Sequence, residues 1–267
     1  MPPDVPDRCT VVAWTPPVPG IAEVFHADIV GWSYPRHCHD TWAVLLVDDG
    51  AIAYDLDSRR HEAAPRSVTV LPPGVVHDGR PAPGAGWFRK RELYLDAGFL
   101  PAGLVGAAVD RTNLTDPRIA ATVSALHRSL AAAEPLDAEA RLSSVADRLV
   151  DALAHRAPRP RRTEPRIAHA LRELLDEHVT TGVTLAACAT VLGRSTGHLV
   201  RSFTREFGVS PHAYLVGRRI DVARRLLLSG VPAARVAVEA GFHDQAHLTR
   251  HFRRHVATTP ARFAAGR

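Results

Sequence analysis

Near the C-terminus the chain carries one pattern twice: His198-Leu199-Val200-Arg201-Ser202-Phe203 returns 49 residues later as His247-Leu248-Thr249-Arg250-His251-Phe252. At the same offset Ser210-Pro211 returns as Thr259-Pro260, and Tyr214 as Phe263. A recurrence of this length is one supersecondary unit used more than once. Each copy reads as a helix-turn-helix, which confines the C-terminal segment to an all-helical fold.

In the first copy Thr184 caps a helix that Gly193 ends, and Ser195 caps the next, which runs through Phe207. Leu199 and Phe203, one turn apart, face inward. Thr196, Val200, Arg201 and Arg205 are left on the outer face of the second helix, the one that enters a major groove in this motif. In the second copy Asp244 is the cap, Leu248 and Phe252 face inward, and Gln245, Thr249, Arg250 and Arg253 face out. Arg201 and Arg250 are equivalent, and Arg paired with guanine is the commonest specific base contact, while Gln suits adenine. Between the copies Ser210-Pro211 opens a helix to about Ser229, roughly 27 Å long. Such a connector can set two recognition helices about one DNA turn apart. Its Arg218, Arg219, Arg224 and Arg225 are expected on the solvated side.

Charge divides the chain. Residues 1–155 carry 14 Lys+Arg against 20 Asp+Glu, whereas residues 166–267 carry 15 against 7. The stretch between them, 156–165, holds three prolines and four arginines and reads as a linker. An acidic front half joined to a basic back half is the footprint of a sensor fused to a nucleic-acid binder. The expected partner is double-stranded DNA. Three cysteines, odd in number and far apart, give no disulfide framework. With no signal-like segment and no stretch able to span a bilayer, a cytoplasmic protein without a membrane partner is expected.

The spacing Ala189…Ser195…Leu199-x-Arg201-x-Phe203…Gly208-x-Ser210-Pro211…Tyr214 resembles the AraC/XylS family of bacterial transcription regulators. Gly241-Phe242…Gln245…Leu248-x-Arg250-x-Phe252…Thr259-Pro260…Phe263 matches the family's second half. The resemblance implies two helix-turn-helix modules in successive major grooves. The chain departs from the pattern in four places. Gly197 and Val200 stand where base-contacting side chains are common, Pro232 where a capping Ser or Thr is usual, and Ala257 where a Gly usually turns the chain.

The front half reads as short strands. Trp42 to Val47 is an apolar run, Asp48-Asp49-Gly50 a hairpin signal, and Val68 to Leu71 a strand stopped by Pro72-Pro73-Gly74. Many short strands without helices between them predict a sandwich or small barrel. His37 and His39 share one side of a strand, and His77 follows from a later one. Three imidazoles so arranged can face one metal. The spacing resembles the cupin barrel, whose metal enzymes add a Glu after the His pair. Here Asp40-Thr41-Trp42-Ala43-Val44 contains none. The pattern also resembles AraC-type sensor domains, which implies that His37, His39 and His77 line or support a small-molecule effector site. By residue type Trp32, Tyr34, Trp42, Tyr54 and Trp87 are the aromatics available to wall it, some of them ordinary core, and Trp42 and Tyr54 are assigned to it. No metal, no cofactor and no catalytic residue are expected, and the chain is read as a non-enzyme. The competing reading is a cupin metalloenzyme tethered to DNA, and the missing Glu argues against it.

Helical periodicity begins after Asp116. Ile119, Val123, Leu126 and Leu130 keep one face, and Leu142, Val145, Leu149 and Leu153 keep another. The second stripe needs a partner, either its own barrel or, as the family resemblance implies, the same helix of a second subunit in a homodimer. An activator would also meet RNA polymerase. The expected architecture is α+β with two domains. Residues 1–155 form a cupin-like barrel with dimerisation helices, 156–165 the basic linker, and 166–267 an all-α double helix-turn-helix.

Overall fold

The computed structural model describes residues 8–154 and 166–266; the linker read at 156–165 lies outside the described residues. The front half holds β1 (Thr10–Trp14), β2 (Ile21–Val30), β3 (Tyr34–His37), β4 (Trp42–Gly50), β5 (Ile52–Leu56), β6 (Arg59–Ala63), β7 (Val68–Leu71), β8 (His77–Pro81) and β9 (Trp87–Leu95). After α1 (Val105–Asp110) and β10 (Asn113–Leu114) come α2 (Pro117–Ala131) and α3 (Pro135–Ala154). The strands pair antiparallel in two sheets, one of order β1-β2-β9-β4-β7-β10 and one of order β3-β8-β5-β6.

The expected closed barrel is corrected to two separate sheets. No hydrogen-bonded ladder joins them among the described residues. An edge must be paired or covered, and here helices cover one edge of each sheet: β1 packs against the last helix of the chain and β3 against two others. The hairpin signal at Asp48-Asp49-Gly50 also works differently from expectation. Gly50, at φ 70°, ends β4 in the large sheet, and the chain crosses to β5 in the small one. A Cβ at Gly50 would lie 2.3 Å from the carbonyl oxygen of Trp87, so only glycine fits. The tight hairpin falls instead between β5 and β6, where Asp57 and Ser58 both take positive φ, 48° and 64°.

The apolar run of β4 is buried from Trp42 to Val47 because both faces of its sheet are covered. Trp42, Val44 and Leu46 join an outer core with α2 and α3, while Ala43, Leu45 and Val47 join an inner one. Leu142, Val145, Leu149 and Leu153 are buried in that outer core, beside Val123 and Leu126 of α2 and the sheet residues Val44 and Leu93. Of the two partners open to this stripe, its own barrel or a second subunit, its own domain is the one that covers it.

The helical half comprises α4 (Arg166–Glu177), α5 (Leu185–Leu192), α6 (Thr196–Phe207), α7 (Pro211–Leu228), α8 (Ala233–Glu239), α9 (Gln245–Val256) and α10 (Pro260–Ala265). Thr184, Ser195, Ser210 and Asp244 accept hydrogen bonds from the backbone N–H three residues on, as N-caps do. Pro232 caps α8 without a side-chain bond. Leu199 and Phe203 pack with Leu171, Cys188 and Tyr214, and Cys38 of the front half joins them. Leu248, Phe252 and Phe263 belong to the same inner core as Phe25, Leu45 and Tyr94, through Ile220, Ala223 and Leu227 of α7. The two halves share hydrophobic cores.

Candidate functional site

Two surfaces carry chemistry. The first is the outer face of the helix-turn-helix pair. In α6, Thr196, Arg201 and Arg205 are exposed and Val200 is half-buried; in α9, Gln245, Arg250 and Arg253 are exposed and Thr249 is half-buried. This follows from the inward anchoring of Leu199, Phe203, Leu248 and Phe252, each fully buried. Thr249 spends its hydroxyl on the carbonyl of Gln245, which leaves its methyl for contact. Among the described residues Arg201, Arg205, Arg250 and Arg253 form no ion pair. They are free to meet an anion.

The arginines of α7 behave otherwise, and the expected solvated side is corrected. Arg218 reaches Asp40, Asp176 and Asp221 at 3.1, 3.2 and 3.3 Å, and its side chain is 15% exposed. Arg224 lies 2.6 Å from Glu23, and Arg219 donates to the carbonyl of Val179 at 2.7 Å. Only Arg225 remains exposed. Arg219 and the other contacts of Arg218 tie α7 within its own half, while Arg224 and Arg218 reach the front half through Glu23 and Asp40. Sequence spacing could not show it, because Glu23 and Asp40 lie roughly two hundred residues away along the chain.

The second surface is a cavity of about 600 Å³ of empty space, partly open to solvent, between the two sheets and the helical half. Phe25, Leu45, Phe88 and Tyr94 supply apolar walls from the large sheet, and Tyr34, Ile52 and Tyr54 from the small one. Arg224 of α7 and His255 and Val256 of α9 complete the lining. Of the residues expected at an effector site, Tyr34, His37, Tyr54 and His77 line this cavity, and Trp32 and Trp87 are not part of its lining. His39 stands directly behind, its ring 4.9 Å from His77 and 5.4 Å from Tyr94, and borders a smaller neighbouring cleft with Asp40 and Arg225. Trp42 does not take part. The alternation of β4 sends it to the outer core, where its indole N–H donates to the carbonyl of Ala97.

The imidazoles are fixed alike. Nδ1 of His37 donates to the carbonyl of Pro35 at 2.7 Å, that of His39 to Thr41 at 2.8 Å, and that of His77 to Val75 at 3.0 Å. A carbonyl cannot donate, so each Nδ1 carries the proton and each Nε2 of the neutral ring presents a lone pair. Burial, reinforced by the neighbouring rings, holds His37 well below its ordinary range and His39 and His77 down to about 3. No group of three or more His, Cys, Asp or Glu among the described residues is placed to hold a metal ion. Lys90 and Glu92, also in the lining, form a buried pair at 2.7 Å, and Tyr94 donates to the same carboxylate.

Lys90, Glu92, Arg224 and His255 gave no local pattern that marked them as cavity residues. The one available signal was composition: Lys90 is the single lysine among 33 basic residues, and it sits in the cavity.

Residues 20–146 match the AraC-like ligand binding domain, and residues 188–266 match a helix-turn-helix domain. The chain belongs to the AraC/XylS family of transcription regulators. The uncharacterized HTH-type transcriptional regulator YbfI of Bacillus subtilis is 41% identical over 76 residues, 28% of each chain. The thermoregulatory protein LcrF of Yersinia pestis is 32% identical over 120 residues, 45% of this chain and 42% of LcrF. Both matches span less than half the length of the relative. Among solved structures, ToxT from Vibrio cholerae aligns over 97% of both chains with a TM-score of 0.59 and 10% identity. A second ToxT structure, bound to an unsaturated fatty acid, aligns over 98% of this chain and 96% of that one with a TM-score of 0.54 and 11% identity. The shared feature is the fold: a sheet-rich front half followed by an all-helical half. The cavity lies within and beside the segment of this AraC-family chain that matches the ligand-binding domain.

Proposed function

We propose that the chain is a cytoplasmic, sequence-specific regulator of transcription whose DNA binding answers to a small molecule held between its two halves. The observation that carries this reading is the origin of the cavity wall. Arg224 lies on the helix between the two units, and His255 and Val256 end the second recognition helix itself. An effector in the cavity therefore touches the element that reads DNA. If it fits the docked arrangement better than any other, it shifts the population toward it.

In this reading Arg201, Arg250 and Gln245 read base edges and Thr196, Val200 and Thr249 make close contacts. Arg205 and Arg253 hold phosphates, which position without specifying. His37, Tyr54 and His77 meet the effector, with His39 as support, and no covalent step is involved. The division at 156–165 separates effector sensing from DNA reading. A homodimer on paired half-sites must form through surfaces other than the buried stripe of α3, and contact with RNA polymerase belongs to the case of an activator.

The test starts from a random duplex pool: sequences retained by the full chain are identified, and the affinity for the preferred duplex is measured. Ala63, buried in the cavity lining, is then changed to Phe to fill the cavity. The expected result is enrichment of a defined sequence and an altered affinity in Ala63→Phe. Absence of any enriched sequence sinks the DNA-reading assignment, and an unchanged affinity sinks the coupling.

A further inference from the structure

The cavity's polar inventory is specific enough to name a chemical class, provided the cavity is the effector site proposed above. Its charges are already matched. Lys90 is paired with Glu92, and Arg224 with Glu23, all four side chains being about nine-tenths or more buried. The ammonium of Lys90 also faces the rings of Phe25 and Tyr34, at 5.2 and 4.7 Å from their centroids. A ligand bringing a net charge would add an unmatched ion to a low-dielectric space, or would have to take a partner from one of these pairs.

What the cavity lacks is a hydrogen-bond donor for its imidazoles. His37 and His77 direct Nδ1 to backbone carbonyls, and Nε2 of each has no partner among the described residues. His255 follows the same plan, with Nδ1 donating to the carbonyl of His251 at 2.8 Å. Behind them Nε2 of His39 is buried without a partner. Two donors are also unmet on lining residues: the hydroxyl of Tyr34 and the Nε–H of Arg224 are buried with no hydrogen-bond partner among the described residues. Buried polar groups are ordinarily satisfied, so unpartnered imidazole acceptors lining a cavity beside the unmet donors of Tyr34 and Arg224 are a site awaiting its complement. Asp78 is paired with Arg36 and Arg80 and the Thr69 hydroxyl donates to Asn113, and the rest of the lining is mainly aromatic and aliphatic, with Phe25, Leu45, Ile52, Tyr54, Phe88 and Val256.

We infer that the cavity takes an uncharged hydroxyl compound with an apolar body, a phenol or apolar alcohol, whose O–H donates to Nε2 of His37 or His77 while its oxygen accepts from the Tyr34 hydroxyl. One hydroxyl meets both needs, because it donates once and accepts as well. A carboxylate meets only the second and arrives charged.

The test is calorimetric titration of the full chain, with a chelator present, by three probes of one shape: 4-ethylphenol, 4-ethylanisole and 4-ethylbenzoate. The expected order is phenol tightest. The methyl ether should be weaker by about tenfold, as one hydrogen bond and one unmet acceptor require, and the carboxylate weaker again. His37→Phe and His77→Phe remove an acceptor each, and at least one should erase the preference for phenol over ether. Near-UV circular dichroism checks that each variant folds, and the comparison of probes on the unaltered chain stands without them. Equal binding of phenol and ether, or tighter binding of the carboxylate, overturns the class while leaving an occupied cavity. Binding of none of the three at millimolar concentration overturns both the class and the effector reading beneath it.

Discussion

The guanidinium of Arg224 in α7 lies 2.6 Å from the carboxylate of Glu23 in β2, and the two side chains are only 11% and 7% exposed. Arg224 also stacks on Tyr94, 4.3 Å from its centroid, and faces Phe25 and Phe263. Burial raises the Glu23 carboxyl against the pull of Arg224, so desolvation outweighs the attraction. A pair of this kind specifies a geometry more than it adds stability, and the geometry here is the docking of the two halves.

Removing one partner leaves the other buried and uncompensated, at a cost of about 3–5 kcal/mol. Glu23→Gln or Arg224→Met should therefore lower the urea midpoint and open the junction to limited proteolysis. Glu23→Leu combined with Arg224→Met should recover most of the loss. A double variant as damaged as the sum of the singles would show that the pairing is not what matters.

The turn after each recognition helix gives a direct comparison. Gly208 ends α6 at φ 69° and Ala257 ends α9 at φ 62°, in equivalent places. A Cβ in the left-handed region costs about 1–2 kcal/mol. Ala257→Gly should then stabilise the second unit by about 1 kcal/mol. Gly208→Ala should cost more than that, since its Cβ would also lie 3.0 Å from Nη1 of Arg36. Denaturation midpoints of the two variants should move in opposite directions.

The helical half was legible almost to the residue because its signals are local: a capping hydroxyl or carboxylate, two apolar residues one turn apart, a glycine at the stop. The front half was legible as strands but not as sheets. Nothing near Gly50 says that β4 and β5 belong to different sheets, and only the approach of Trp87, thirty-seven residues on, decides it. His37 and His77 were found because their spacing resembled a known pattern. Trp42 was assigned to the cavity by residue type alone, and the alternation of β4 sends it to the opposite face. Arg218 and Arg224 were misread because exposure was inferred from charge, whereas their partners Glu23 and Asp40 become neighbours only through tertiary packing.

Acid should unfold the protein early, and the sign follows from the histidines. Burial lowers His37, His39, His77 and His127 in the folded chain, His39 and His77 to about 3, while the unfolded chain takes up protons near pH 6.5. Above that pH both states are neutral and these groups leave stability flat. As pH falls from about 6.5 toward 3 only the unfolded state gains protons, so stability is lost, by about 2 kcal/mol per such histidine at pH 5. Asp221 opposes them: burial pushes its carboxyl up to about 7, so its share of stability declines as pH rises from about 4 to 7. Glu23, whose carboxyl is also raised by burial, acts with it, but two carboxyls against these four imidazoles, with His26 and His251 lowered to about 4 as well, leave a net loss on acidification. Urea midpoints measured from pH 7.5 to 4.5 should fall steadily, and less steeply in His77→Phe. A midpoint that holds constant over that range contradicts neutral buried imidazoles.

The free and the tied arginines should separate in one DNA experiment. Arg201 and Arg250 are exposed at equivalent places on the two recognition helices, and replacing either by Ala should cost roughly 1–3 kcal/mol on the preferred duplex and less on unrelated DNA. Arg205→Ala and Arg253→Ala remove phosphate contacts. They should weaken all sequences alike and reduce the slope of log K against log salt by about 1 each. Arg218, held by Asp40, Asp176 and Asp221, faces its own front half, so Arg218→Ala should leave the salt slope of the docked chain unchanged while lowering its stability. Equal losses on every sequence for Arg201→Ala and Arg250→Ala would reassign both to the phosphate backbone, and a salt slope that drops in Arg218→Ala would place α7 against DNA instead of against β2 and Asp40.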